Sequence, residues 1–195
     1  DEVDEEILRD SSVFHFGSVS MTKEPARSTT LKAAKKAKAL GKTISYDPNL
    51  RPPLWDSLEE AKEVMIQGLP YADILKISEE ELAFLTNHKD PETGSKFLYD
   101  KYKTPIILVT LGSDGCFYRS EKNTGYSPGF HVSSVDTTGA GDTFSGYFLR
   151  GVLKPVEHFS ALTLATAASS IAIMRQGAAI SIPNLAEVIE KADKN

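Results

Sequence analysis

The stretch DTTGAGDTFSGYFLRG, from Asp136 to Gly151, concentrates the residues best suited to chemistry. Gly139, Ala140 and Gly141 are small and lie just ahead of a helix-favouring run that includes Asp142 and Thr143. Successive backbone N–H groups at a helix start form a cradle for anions, and the lack of bulk lets phosphate oxygens approach. A carboxylate beside that cradle repels phosphate, so Asp142 is better placed to take a proton from an attacking hydroxyl. Phosphoryl transfer asks little more of a protein than positioning and charge neutralisation. Read alone, the same residues also fit a Gly-rich turn capped by Asp142, because short glycine motifs recur widely.

Three further segments carry candidate groups. VTLGSDG (109–115) follows an apolar run and has the glycine spacing of a turn, which an ordinary hairpin would also show. KISEEE (76–81) sets Ser78 and Glu81 at capping-box spacing. DPNLRPPLW (47–55) puts Arg51 just past a strand, at the edge where open α/β sheets bind ligands. A guanidinium there suits a phosphate or sugar oxygen, with Asp47 and Asn49 as hydrogen-bonding support. The plainer reading is a solvated loop stiffened by Pro48, Pro52 and Pro53 and packed down by Trp55. His15, His88, His131 and His158 are scattered without metal-ligand spacing. The lysines at 32, 35, 36 and 38 fall on the outer face of a helix.

These segments need a scaffold, and the pattern supplies one. Strands are predicted over 13–21, 43–49, 72–78 and 105–112, the last apolar enough to be buried on both faces. Helices are predicted over 26–40, ending at Gly41, over about 57–67 with Ser57 as cap and Glu60 as box partner, and after Ser78. The order β-α-β-α-β-α-β calls for a parallel sheet with helices on both sides. Residues 116–132 break the rhythm as short antiparallel strands, and helices follow near 141–153, 157–174 and after Pro183. DEVDEE has the character of an exposed helix beginning. No linker or repeat divides residues 1–195, which read as one domain.

Composition narrows the function classes. A net charge of −5 disfavours non-specific binding to nucleic acid or membrane surfaces. No apolar run approaches the roughly 20 residues of a membrane span. Cys116 is the single cysteine, so no internal disulfide forms, which suits a cytoplasmic setting.

The signature at 136–151 resembles that of the ribokinase-like, pfkB-type carbohydrate kinases, without a gap from Asp136 to Gly146. The resemblance implies Asp142 as catalytic base and the backbone of Gly139, Ala140 and Gly141 as anion hole. VTLGSDG resembles the family's TxGxxG turn, which implies ATP contacts by Thr110, Gly112, Ser113 and Gly115, joined by Gly141. KISEEE resembles the NxxE element, with Ser78 where the family usually has Asn. It implies Ser78 in the ATP site and Glu81 organising Mg²⁺ through water. Asp136 and Thr138 match a pair that lies beside K⁺ in the family, with Arg175 to Ser181 completing the cage. Residues 14–55 are similar to fructokinases, which implies substrate or phosphate binding by Asn49 and Arg51. The implied reaction converts D-fructose and ATP to D-fructose 6-phosphate. A 2-keto-3-deoxygluconate kinase or a ribokinase is the alternative, and a non-catalytic nucleotide-binding fragment is the alternative of another class.

The implied fold is a three-layer α/β/α sandwich around a mostly parallel sheet. The chain corresponds to its C-terminal two-thirds, without the GG-containing sugar-binding region and the small β-sheet lid. Sugar and ATP are then the partners, with ATP, Mg²⁺ and K⁺ as cofactors. Family dimers use the lid, so a homodimer is a candidate state for the full-length protein. The isolated residues are expected to bind ATP weakly and not to phosphorylate fructose.

Overall fold

The run IILVT at 106–110 forms a strand in which Ile106, Ile107, Leu108 and Val109 are all buried, as a strand covered on both faces must be. In the computed structural model, which describes residues 3–153 and 158–194, this strand is β4 of an α/β fold. Four strands lie parallel in chain order: β1 (Val13–Gly17), β2 (Thr43–Asp47), β3 (Ile74–Ser78) and β4 (Ile106–Thr110). The sheet continues through β5 (Gly115–Ser120) and β6 (Thr124–Pro128). Helix α1 (Glu5–Asp10) precedes β1, and α2 (Ala26–Ala39), α3 (Leu58–Gly68), α4 (Glu79–Thr86) and α5 (Pro91–Tyr102) connect the parallel strands.

The chain divides into two compact units, Asp1–Thr110 with Tyr118–Thr124, and Leu111–Phe117 with Gly125–Asn195. The first holds β1–β4 and α1–α5. Its core gathers Met21, Ile44, Tyr46, Met65, Leu75, Ile77, Leu82, Leu98 and Ile107, all fully buried. Tyr46 stacks on Phe16 at 4.5 Å and donates its hydroxyl to the Met65 carbonyl at 2.9 Å. Such burial supplies the main favourable energy of folding, about 1.5–3 kcal/mol per large apolar side chain.

The second unit contains α6 (Ala140–Val152), α7 (His158–Ala172) and α8 (Leu185–Ala192). A Cβ on Gly151 would lie 2.4 Å from that of Ala161, so α6 and α7 cross too closely for a side chain there. Val188 of α8 packs on Ala167, Ala168 and Ile171 of α7.

The structure departs from the pattern reading in several places. The strand at 13–21 stops at Gly17, and Ser18–Met21 is a 3-10 turn whose Ser18 N–H donates to the Pro48 carbonyl at 3.1 Å. The strand at 43–49 stops at Asp47, because Asn49 adopts a positive φ of 52°. Ser57 caps α3 by accepting from Glu60 N at 3.0 Å, but the Glu60 carboxylate bonds Arg27 at 2.7 Å instead of returning to the cap. The stronger pull of a guanidinium accounts for this. Helix α5 is an element the pattern reading lacked; Asp90 caps it and Asn87 in the left-handed region ends α4 before it. Residues 1–2 of the expected acidic helix beginning, and residue 157 of the expected 157–174 helix, lie outside the described residues.

Candidate active site

The second unit builds the glycine-rich turn. Gly139 is the N-cap of α6 at φ 77°, a conformation costly for residues with a side chain. No side chain caps this helix. Ala140 N donates to the Thr137 carbonyl at 3.2 Å and Thr143 N to that of Gly139 at 2.9 Å. Among the described residues, no group accepts from the N–H of Gly139, Gly141 or Asp142. Free N–H groups at a helix start carry the positive end of its dipole. The exposed Asp142 stands on that first turn, and among the described residues nothing donates to its carboxylate.

The turn is held from behind. Asp136 accepts from Thr138 N and from Gly177 N, each at 2.9 Å. The Thr138 side chain, with the N–H groups of Thr138 and Gly177, keeps the Asp136 carboxyl below its ordinary range. Val135 N and Asp136 N both donate to the Ile173 carbonyl, and Ser169 Oγ to the Ala140 carbonyl. Arg175 pairs with Glu187, which also closes a capping box with Asn184 on α8. The residues expected around K⁺, Asp136, Thr138 and the 175–181 loop, are thus joined in one hydrogen-bonded assembly.

Gly112–Asp114 form a 3-10 turn between β4 and β5, with Leu111 N donating to the Gly115 carbonyl. A Cβ on Gly115 would lie 2.1 Å from the Ser127 carbonyl oxygen, and one on Gly129 would lie 1.9 Å from that of Ser113. The two segments cross backbone on backbone, beside a short turn that joins neighbouring strands. Ser113 is exposed on it.

In the first unit, Ser78 and Glu81 close a full capping box at the start of α4: Ser78 Oγ accepts from Glu81 N at 3.2 Å, and Glu81 Oε2 from Ser78 N at 2.9 Å. Glu81 Oε1 also accepts from Leu50 N at 2.6 Å, fastening the DPNLR segment to α4. The β3–β4 register sets Ser78 opposite Thr110, whose hydroxyl lies 3.5 Å from the Ile77 carbonyl. Arg51 is exposed, and its guanidinium donates to the Leu50 carbonyl at 3.0 Å. Trp55 is buried at the end of the same segment.

Asp47 does not support Arg51. It turns inward to Lys76, whose ammonium donates to its Oδ2 at 3.0 Å. Burial pushes the Asp47 carboxyl up, while the Lys76 ammonium pulls the other way. Lys76 was missed as a functional candidate in the sequence, where it is one lysine among many; its place on a buried strand was the available signal. Among the described residues no three His, Cys, Asp or Glu side chains gather to hold a metal. No helix among them is long and apolar enough to cross a membrane.

Known proteins resemble this chain in sequence and in fold. A family model described as pfkB family carbohydrate kinase matches residues 1–185. Probable fructokinase-2 of Arabidopsis thaliana is 41% identical over 97% of this chain and 60% of its own length. Fructokinase-1 of Zea mays is 38% identical over 100% of this chain and 62% of its own. The crystal structure of fructokinase from Vibrio cholerae O395, in fructose, ADP and calcium ion bound form, superposes with a TM-score of 0.86 at 31% identity. It aligns with 92% of this chain and 60% of that one. A double mutant of that protein, in fructose, ADP and potassium ion bound form, gives the same TM-score. The chain spans 60% to 62% of the length of the two plant relatives. The chain belongs to the pfkB family of carbohydrate kinases.

Proposed function

We propose that both units belong to one kinase domain that transfers the γ-phosphate of ATP to D-fructose, giving D-fructose 6-phosphate. The observation that carries this reading is the uncapped start of α6, where free N–H groups and an unengaged carboxylate stand on the same turn. Of the expected anion hole, the N–H groups of Gly139 and Gly141 stabilise charge on the transferring phosphoryl oxygens, and Asp142 N takes the place of Ala140 N, which donates to the Thr137 carbonyl. Asp142 takes the proton from the attacking sugar hydroxyl. Thr110, Gly112, Ser113 and Gly115 receive the nucleotide with Ser78, and Arg51 and Asn49 serve substrate or phosphate.

The fructokinase relatives favour fructose as acceptor, and the Vibrio cholerae structure pairs fructose with ADP. A Mg²⁺ ion bound with the nucleotide would neutralise charge on its phosphates. Glu81, whose carboxylate also accepts from Ser78 N and Leu50 N, would reach that ion through water. Asp136, Thr138 and the 175–181 loop would hold K⁺, and the Asp136 carboxylate is fixed there by Thr138 N and Gly177 N. Sugar and nucleotide are the partners, and the single buried cysteine agrees with a cytoplasmic location. The test is Asp142→Asn in the intact protein: ATP affinity stays and fructose-dependent turnover falls at least about a hundredfold. Turnover within a few-fold of the parent overturns the base assignment.

A further inference from the structure

The buried pair of Asp47 and Lys76 sits among residues expected at the nucleotide site. Tyr46 lies opposite Leu75 in the β2–β3 register, which sets Asp47 beside Lys76. Ser78 lies opposite Thr110 in the β3–β4 register. Residues two apart on a strand share a face, so Lys76 and Ser78 stand on one side of the sheet, flanked by Asp47 and Thr110. Asp47, Ser78 and Thr110 are the last residues of three adjacent parallel strands, at the edge where open α/β sheets bind ligands, and Lys76 lies two residues before that edge.

The pair is not explained by stability. The Lys76 and Asp47 side chains are only 12% and 6% exposed. Asp47 Oδ1 is buried with no hydrogen-bond partner. Among the described residues, Asp47 is the only acceptor for the Lys76 ammonium, which has three N–H groups to place. Burying an ion pair is costly, and apolar side chains of similar volume often serve the fold as well or better. A lysine held at one corner by a carboxylate, with donors to spare, is a compact cation suited to a phosphate oxygen.

We propose that Lys76 is a phosphate-binding cation of the nucleotide site and that Asp47 is the positioning residue that holds it there. The inference rests on the kinase reading and names a further residue of that site. Bound nucleotide draws the ammonium's remaining N–H groups to its phosphate oxygens, while Asp47 keeps the long side chain from swinging away.

The test separates phosphate binding from fold. Lys76→Met alone strands a buried carboxylate and can unfold the protein. The double variant Asp47→Asn/Lys76→Gln removes both charges and keeps an amide–amide hydrogen bond. A second double variant, Asp47→Leu/Lys76→Met, removes both with apolar groups. Calorimetric titration of the intact protein and both variants with ADP and with adenosine is the measurement. The expected result is at least about a tenfold loss of ADP affinity, with adenosine affinity within about twofold, in whichever variant folds. ADP affinity equal to the parent's overturns the inference while leaving the kinase reading in place, and so does an equal loss for ADP and adenosine. A parent protein that does not bind ADP overturns both.

Discussion

The starts of α4 and α6 carry the same feature, an acidic residue at the third helical position, and use it in opposite ways. At α4 the cap is Ser78 and the acid is Glu81; hydroxyl and carboxylate each satisfy the other's backbone N–H. At α6 the cap is Gly139 and the acid is Asp142; neither side chain closes a box. Glu60 of α3 and Glu187 of α8 hold the same position, and each is engaged by an arginine, Arg27 and Arg175. Among these four acids Asp142 alone has no donor among the described residues. A cap able to accept, joined to a side chain long enough to reach back, turns the acid into part of the fold. A glycine cap with a short aspartate leaves both the N–H groups and the carboxylate for a ligand.

The largest expected effect that would break this contrast is on catalysis. Asp142→Asn should lower turnover at least about a hundredfold while leaving unfolding free energy within about 0.5 kcal/mol, read from urea denaturation. Glu81→Ala should act on the fold as well as on the ion, costing about 2 kcal/mol of stability because Ser78 N and Leu50 N lose their acceptor. If Glu81→Ala leaves stability intact, Glu81 is not what holds the DPNLR segment.

Smaller changes sharpen the comparison. Gly139→Ala places a side chain at φ 77° and should cost about 1 kcal/mol. Ala178 offers only ordinary contacts, at 3.5 Å and beyond, so the cost is conformational and not steric. Ser78→Asn should leave stability within about 0.5 kcal/mol, since both residues cap well, and Ser78→Ala should cost about 1 kcal/mol. The smallest effect is on acid stability. Asp136 has a lowered native pKa, so its contribution is fully present above the ordinary aspartate value of 3.8 and is lost as pH falls through the lower native value. Asp136→Asn should therefore flatten the acid limb of the stability curve and leave its shape near neutrality unchanged.

Where local chemistry decides the structure, the sequence was legible. The Ser78–Glu81 spacing announced its capping box, and the apolar run at 106–110 announced a buried strand. Helix α5 was legible in principle from Asp90 and Pro91, a cap followed by the residue best suited to the first helical position. It was passed over because α4 and α5 were read as one connection. The ends of β1 and β2 depend on long-range contact, Ser18 against Pro48 and Gly17 against Asp47, which no local pattern contains. Asp47 and Lys76 are 29 residues apart, and only the strand register joins them. The glycines at 115 and 129 were visible as turn formers, but their role as a backbone crossing is a property of two segments together.

Trp55 is the only tryptophan in the chain, and it is buried where the Arg51 segment ends. Its indole emission therefore reports on one loop and not on the protein at large. With seven tyrosines as a separate, distributed background, selective excitation of the indole gives a label-free optical gauge of that loop. A ligand that shifts the segment at 47–55 would change the colour or intensity of this single signal while the rest of the molecule stayed spectroscopically silent.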